Sequence, residues 1–234
     1  MSTTTSTQPS SDVPRGTAPS IAVSGLTRGF GDRPVIRDLS WSRMAHGVVG
    51  VVGPNGAGKT TFARIVAQLI EPDDGTVELC GVSITGPNAF EARRYVGYAP
   101  HRPLLRSMRS VAANLQHAAR LYGFGAIEAA AEVQRVAASW DMTALLPMRA
   151  GALSRGQVQR CVLAMADLGS PPIVVLDEPT VGLDEAGRRA LEGAIDRWKD
   201  SRIVLVTSHE RAWLDSFVDD VLDLGAAPVM GGEG

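Results

Sequence analysis

Apolar positions along this chain follow two periods in turn. Between Ile21 and Val52, the short β-rich pieces Ile21-Ala22-Val23, Leu39-Ser40-Trp41-Ser42 and Val48–Val52 are separated by Gly, Pro and Asp, a pattern that predicts strands joined by turns. The third piece runs into a glycine-rich stretch, after which Phe62, Ile65, Val66 and Leu69 recur at helical spacing. From about Leu104 to Ala150 the period stays helical, with Val111, Leu115 and Ala118 at i, i+4 and i+7 and an Ala-rich run from Ala126 to Ala138. A further helical run, Ser154 to Leu168, leads to the apolar piece Ile173–Leu176. Ala190, Leu191, Ala194, Ile195 and Trp198 then share one helix face, and Ile203–Val206 forms another apolar piece. Short apolar runs of this kind are strands buried on both faces. Strands alternating with helices predict an α/β protein with parallel strands, interrupted by a helical insertion.

Composition narrows the class. The 234 residues are 44% hydrophobic and 21% charged with a net charge of −2, which suits an ordinary globular protein and demands no polyanionic partner, so no nucleic acid is expected. Val48–Val52 and Ile173–Leu176 are far shorter than the roughly 20 apolar residues of a membrane-spanning helix. Met1 to Ser20 is Ser, Thr and Pro without an apolar core, which reads as a disordered tail rather than a signal peptide, and Gly225 to Gly234 reads as a loose, glycine-rich end. The expected organisation is therefore a tail over 1–19, one domain over 20–225 with a helical subdomain at about 104–168, and a tail over 226–234, in the cytoplasm by default. Cys80 and Cys161 lie far apart in unrelated surroundings and suggest neither a disulfide nor a metal site.

The stretch Gly53-Pro54-Asn55-Gly56-Ala57-Gly58-Lys59-Thr60, followed by Thr61, fits G-x-x-x-x-G-K-[ST] between an apolar strand and a helix. Glycines let consecutive N–H groups turn toward a phosphate, and the helix start adds a positive dipole end. Lys59 can reach the β and γ phosphates of ATP, while the Thr60 hydroxyl is a ligand suited to Mg²⁺. Lys59 is one of only two lysines in the chain, the other being Lys199.

The buried strand Ile173–Leu176 ends in Asp177 and Glu178. Buried charge is costly without a partner, so this pair points to chemistry: Asp177 to hold Mg²⁺ through water, Glu178 to orient the attacking water. Leu153-Ser154-Arg155-Gly156-Gln157 opens the next-preceding helix, with Ser154 at its N-cap and helix N–H groups free to meet an anion.

Taken in order, these segments resemble the nucleotide-binding subunits of ABC transporters over most of the chain, from about Ile21 to Leu224. The resemblance implies a P-loop NTPase core with a mixed sheet, an N-terminal antiparallel β subdomain and a helical subdomain insertion. It implies that Phe30 stacks on adenine, that Gly182-Leu183-Asp184 is the loop crossing a dimer contact, and that His209 touches the γ-phosphate. It also implies that Ser154, Gly156 and Gln157 of a second copy or a paralogue complete the ATP site, with membrane-spanning subunits receiving the work. The chain would then be an ATP hydrolase, peripheral on the inner face of the cell membrane.

Two residues depart from the family pattern. His101 ends Val96-Gly97-Tyr98-Ala99-Pro100-His101 where the family usually has a Mg²⁺-contacting glutamine, so His101 is expected to approach the metal through water. Arg155 stands where the family usually has glycine. The missing glutamine and Leu121-Tyr122-Gly123 are similar to features of the haem-exporter ATPases. The alternatives at this stage are an ABC-type ATPase not engaged in transport and a regulatory subunit with an impaired site. The residues 101–106 and the helical insertion are the expected contact with the membrane partner, export being the expected direction.

Overall fold

The computed structural model describes residues 18–31, 33–87 and 89–225. The two expected tails fall almost wholly outside these residues. The chain opens with the hairpin β1 (Ile21–Phe30) and β2 (Arg33–Arg43), then β3 (Gly47–Val52) and helix α1 (Lys59–Val66). β4 (Asp74–Leu79), β5 (Val82–Ser83), the short helix α2 (Ala89–Ala92) and β6 (Val96–Ala99) follow. The helical region holds α3 (Val111–Leu121), α4 (Ala126–Ser139) and α5 (Arg155–Ala166). The chain then runs through β7 (Ile173–Asp177), α6 (Glu185–Lys199), β8 (Ile203–Thr207), α7 (Arg211–Leu214) and β9 (Asp220–Asp223).

The strands form two sheets. A four-stranded sheet of order β2-β1-β4-β5 is antiparallel, and a five-stranded sheet of order β6-β7-β8-β3-β9 is parallel. Successive side chains of a strand face opposite sides, so each central strand feeds two cores. Val48 of β3, Val174 and Leu176 of β7, and Val204 and Val206 of β8 pack with the helices α3 to α6. Val49 and Val51, Ile173 and Val175, and Ile203 and Leu205 pack with α1 and the antiparallel sheet. With both faces covered, these strands have no polar face to show, which is why they read as unbroken Val, Ile and Leu. Each such side chain contributes roughly 1.5–3 kcal/mol by leaving water.

Two glycines set close approaches. A Cβ on Gly97 in β6 would overlap the carbonyl oxygen of Ala166 at the end of α5, and one on Gly50 in β3 would lie 2.9 Å from Leu214. The helical region is tied to α6 through Asp167. Its carboxylate accepts from Arg202 at 2.7 Å and from Trp140 at 3.2 Å, and the rings of Trp140 and Trp198 stand 5.7 Å apart.

The sequence pattern understates several elements. β1 and β2 are longer than their apolar pieces, because hairpin pairing carries the ladder through polar residues. β4, β5 and β9 carry no alternation strong enough to read, and β9 runs as an edge strand beside β3. Leu69 lies beyond the end of α1 and is exposed rather than on its buried face.

Candidate functional site

The carboxyl ends of the parallel strands converge on one place. β3 ends in the loop 53–58, β7 in Asp177 and Glu178, and β8 in Thr207, followed by Ser208 and His209. In open α/β sheets such ends face the crevice where ligands bind. Gly53, Gly56 and Gly58 have φ of 140°, 83° and 97°, values that L side chains rarely adopt, so the loop can fold its amides inward only as glycine. Lys59, buried at the start of α1, donates from Nζ to the carbonyl oxygens of Gly53 at 2.8 Å and Pro54 at 3.1 Å. The ammonium thus lies curled over its own loop.

Asp177 is fully buried, and hydroxyls surround it. Thr60 donates to Oδ1 at 3.0 Å, Thr207 donates to the same oxygen at 2.8 Å, and Tyr98 donates to Oδ2 at 3.2 Å. Burial, and then the charge of Asp177, push the Tyr98 hydroxyl up to about 12, so it remains a donor at neutral pH. Hard oxygens from Thr60 and Asp177 beside an amide-lined loop are the donor set that Mg²⁺ accepts.

Glu178 adopts φ of 51°, which is unusual for a residue with a side chain and costs on the order of 1 kcal/mol. Its N–H donates to both the carbonyl and the hydroxyl of Thr207, at 3.1 and 3.0 Å. The turn swings the side chain out of the sheet toward His209. Oε2 accepts from the His209 N–H at 3.1 Å. Oε1 lies 3.1 Å from His209 Nε2, close enough for an ion pair but without hydrogen-bond geometry, and it remains buried with no hydrogen-bond partner.

A cleft of about 430 Å³ joins these groups, lined by Phe30, Asn55, Gly56, Gly58, Lys59, Thr60, Thr61, Glu178 and His209, together with Val35. Phe30 is half exposed rather than a core aromatic, with the Arg28 guanidinium 4.9 Å from its ring. The His209 side chain is likewise open to solvent rather than satisfied in the core. Both therefore present free surface to the cleft.

Ser154, Gly156, Gln157 and Asp184 form a second cluster that does not line this cleft. Ser154 caps α5 by accepting from the Gln157 N–H, while Gln157 returns a bond to the Ser154 N–H at 2.9 Å. Asp184 caps α6 by accepting from Gly187 at 2.7 Å, and a Cβ on Gly156 would lie 3.6 Å from its carboxylate. His101 is exposed and does not line the cleft either. From the segment 96–101 it is Tyr98 that reaches Asp177.

Sequence reasoning missed Tyr98, Thr207 and Gln159, the last buried and donating to the Pro179 carbonyl at 3.1 Å. Thr207 carried a signal, as a hydroxyl closing a run of four apolar strand residues. Tyr98 carried none, since a tyrosine in a short strand is ordinary.

Residues 36–181 match the family described as ABC transporter. The chain is 33% identical over 221 residues to the Nod factor export ATP-binding protein I of Ralstonia nicotianae, covering 92% of this chain and 68% of that protein. It is 30% identical over 216 residues to the ABC transporter ATP-binding protein NatA of Bacillus subtilis, covering 90% and 87%. Among solved structures it is similar to an ATP binding subunit of an ABC transporter, with a TM-score of 0.74, 26% identity and coverage of 88% and 86%. A dimeric ATP-binding cassette in a post-hydrolysis state with ADP and Pi gives a TM-score of 0.75 at 19% identity, covering 88% of this chain and 95% of that one, a likeness of fold alone.

Proposed function

The chain belongs to the ABC transporter family as an ATP-binding, ATP-hydrolysing subunit, and from that premise we propose that it works with Mg²⁺ as a dimer on the inner membrane face, driving export through separate membrane-spanning subunits. The observation that carries the catalytic assignment is the Glu178 carboxylate in a cleft shared with Lys59, Thr60 and His209, its Oε1 buried and making no hydrogen bond. An acceptor so placed can take a hydrogen bond from water, and Glu178 orients that water toward the phosphate.

Lys59 has a second partner in prospect. A triphosphate offers the ammonium full charge–charge attraction that the neutral Gly53 and Pro54 carbonyls lack, so it draws Lys59 from them while Gly53 to Thr61 supply the cradle. Thr60 and Asp177 would hold Mg²⁺, whose charge would offset that on the phosphate oxygens. Phe30 offers its open face to the base, and His209, held to Glu178 through its own N–H, steadies the transferring phosphate.

Ser154, Gly156, Gln157 and Asp184 lie off this cleft, which supports the dimer: in one chain the helix start at Ser154 meets no phosphate, whereas a second copy can lay it over one. Among the described residues no helix is long and apolar enough to cross a membrane. Contact with them falls on residues 101–106 and the helical region. An apolar groove of about 320 Å³ opens there, and Leu69, Leu104 and Leu121 are exposed along it.

The test is Glu178→Gln in the assembled complex. Turnover falls by roughly a hundredfold or more while ATP binding persists; parental turnover would refute the assignment. Recovery of a multi-span protein in stoichiometric amount with the tagged variant, from detergent-solubilised membranes, supports transport. Recovery of soluble partners alone would refute it.

A further inference from the structure

Asp177 holds its two oxygens by different means. Oδ1 is fixed twice, by Thr60 from the helix after the cradle and by Thr207 from β8, and Oδ2 receives the hydroxyl of Tyr98 from β6. The torsion that turns a carboxylate about its own axis is broad, so bonds to one oxygen leave the plane of the group loosely set. The bond to Oδ2 closes that freedom.

The register explains how Tyr98 reaches it. β6 and β7 run parallel with Tyr98 opposite Val175, and Val175 and Asp177 share a sheet face, so the phenol extends diagonally along the neighbouring strand to Asp177. The ring is itself held. It walls the apolar groove beside Val96 and Tyr122, and its oxygen also meets the Arg64 guanidinium from the last turn of α1.

We propose that Tyr98 is a positioning residue for the metal-holding carboxylate: its hydroxyl, delivered from the wall of the apolar groove, fixes the plane of Asp177 and thereby sets the affinity for Mg²⁺. The inference rests on the assignment of Asp177 and Thr60 to the metal. It gives the segment 96–101 a route to the metal site that does not pass through His101, and it places that route on the groove where the membrane partner is expected.

Tyr98→Phe keeps the ring and removes the hydroxyl. The measurement is binding of a fluorescent ATP analogue to the full chain, first in EDTA and then titrated with Mg²⁺, alongside thermal unfolding without nucleotide. The variant unfolds roughly 4–8 °C below the parent, as the loss of one donor to a buried carboxylate requires, and still binds the analogue in EDTA within twofold of the parent. Its Mg²⁺ midpoint rises about tenfold, the size expected for loss of one hydrogen bond to a charged group. In steady-state assays the same loss raises the apparent KM for Mg²⁺ more than it lowers kcat at saturating metal. An unchanged Mg²⁺ midpoint would overturn the proposal, as would an equal loss of affinity in EDTA, which marks a merely structural role. A parent chain whose nucleotide binding ignores Mg²⁺ would instead remove the metal assignment itself, and the proposal with it.

Discussion

The guanidinium of Arg155 occupies the space that Gly182 leaves by having no side chain: a Cβ on Gly182 would overlap Cζ, Nε and Nη2 of Arg155. The start of α5 and the loop before α6 therefore touch through the residue at which this chain departs from the family's usual glycine. Gly182→Ala meets two obstacles, a φ of 77° that disfavours any side chain by about 1 kcal/mol and the displaced guanidinium. In an Arg155→Gly background only the first remains. A double-mutant cycle read by denaturant unfolding is expected to show coupling of roughly 0.5–1 kcal/mol, and simple additivity would mean that the contact carries no energy.

Thr207 serves both acidic residues, donating to Asp177 and accepting from the Glu178 N–H. Thr207→Val preserves shape and leaves a buried carboxylate short of a donor, so stability falls by about 2 kcal/mol. Turnover falls as well, because the turn that aims Glu178 loses one of its two acceptors. Urea unfolding and ATPase assays on the same preparation check both effects.

Asp167 joins Trp140 and Arg202 in a setting where both charged side chains are largely covered. Asp167→Ala strands a buried cation and an indole N–H, which costs roughly 3 kcal/mol and lowers Tm by about 6–12 °C for a domain of this size. Calorimetry gives the answer directly. Arg202→Ala is expected to fall in the same range, since it leaves the opposite charge alone.

Burial pushes the Cys161 thiol up from its ordinary value of 9.0 to about 11, with Arg160 opposing weakly. The folded protein thus keeps the neutral thiol longer than the unfolded chain does. The stability this contributes is complete below pH 9.0 and is lost as pH rises to about 11. Unfolding midpoints measured across that window fall less steeply in Cys161→Ala than in the parent, and at pH 8 the native parent resists alkylation at this position.

Arg102 and Arg106 stand exposed on the segment that leads from β6 to the helical region. Reversing both to glutamate is expected to reduce transport severalfold in reconstituted complexes while nucleotide affinity stays at the parental level. Unchanged transport would remove this segment from the partner interface.

The site and the fold were legible in the sequence to different depths. Gly53 to Thr61, the strand closing in Asp177 and Glu178, and His209 after β8 could be read directly, because each function needs a local pattern: an amide-lined turn before a helix, or a carboxylate after a buried strand. The structure brings Phe30, the cradle, Glu178 and His209 to one cleft, as their order suggested. The capped helix start at Ser154 was legible for the same reason, since a cap is decided within four residues.

What the chain's order of residues could not decide is everything that depends on neighbours distant along it. β4, β5 and β9 are strands because partners stand beside them, and their own sequences carry little alternation. The mixed character of the sheet resolves into one antiparallel and one parallel sheet. Tyr98 and Thr207 meet Asp177 from separate strands, and Arg155 at the start of α5 meets Gly182 in the loop before α6. Hydrophobic periodicity and glycine placement are written locally because they act over a turn or two of backbone. The hydrogen bonds that orient a buried carboxylate act across the sheet, so only the assembled register of β6, β7 and β8 determines them.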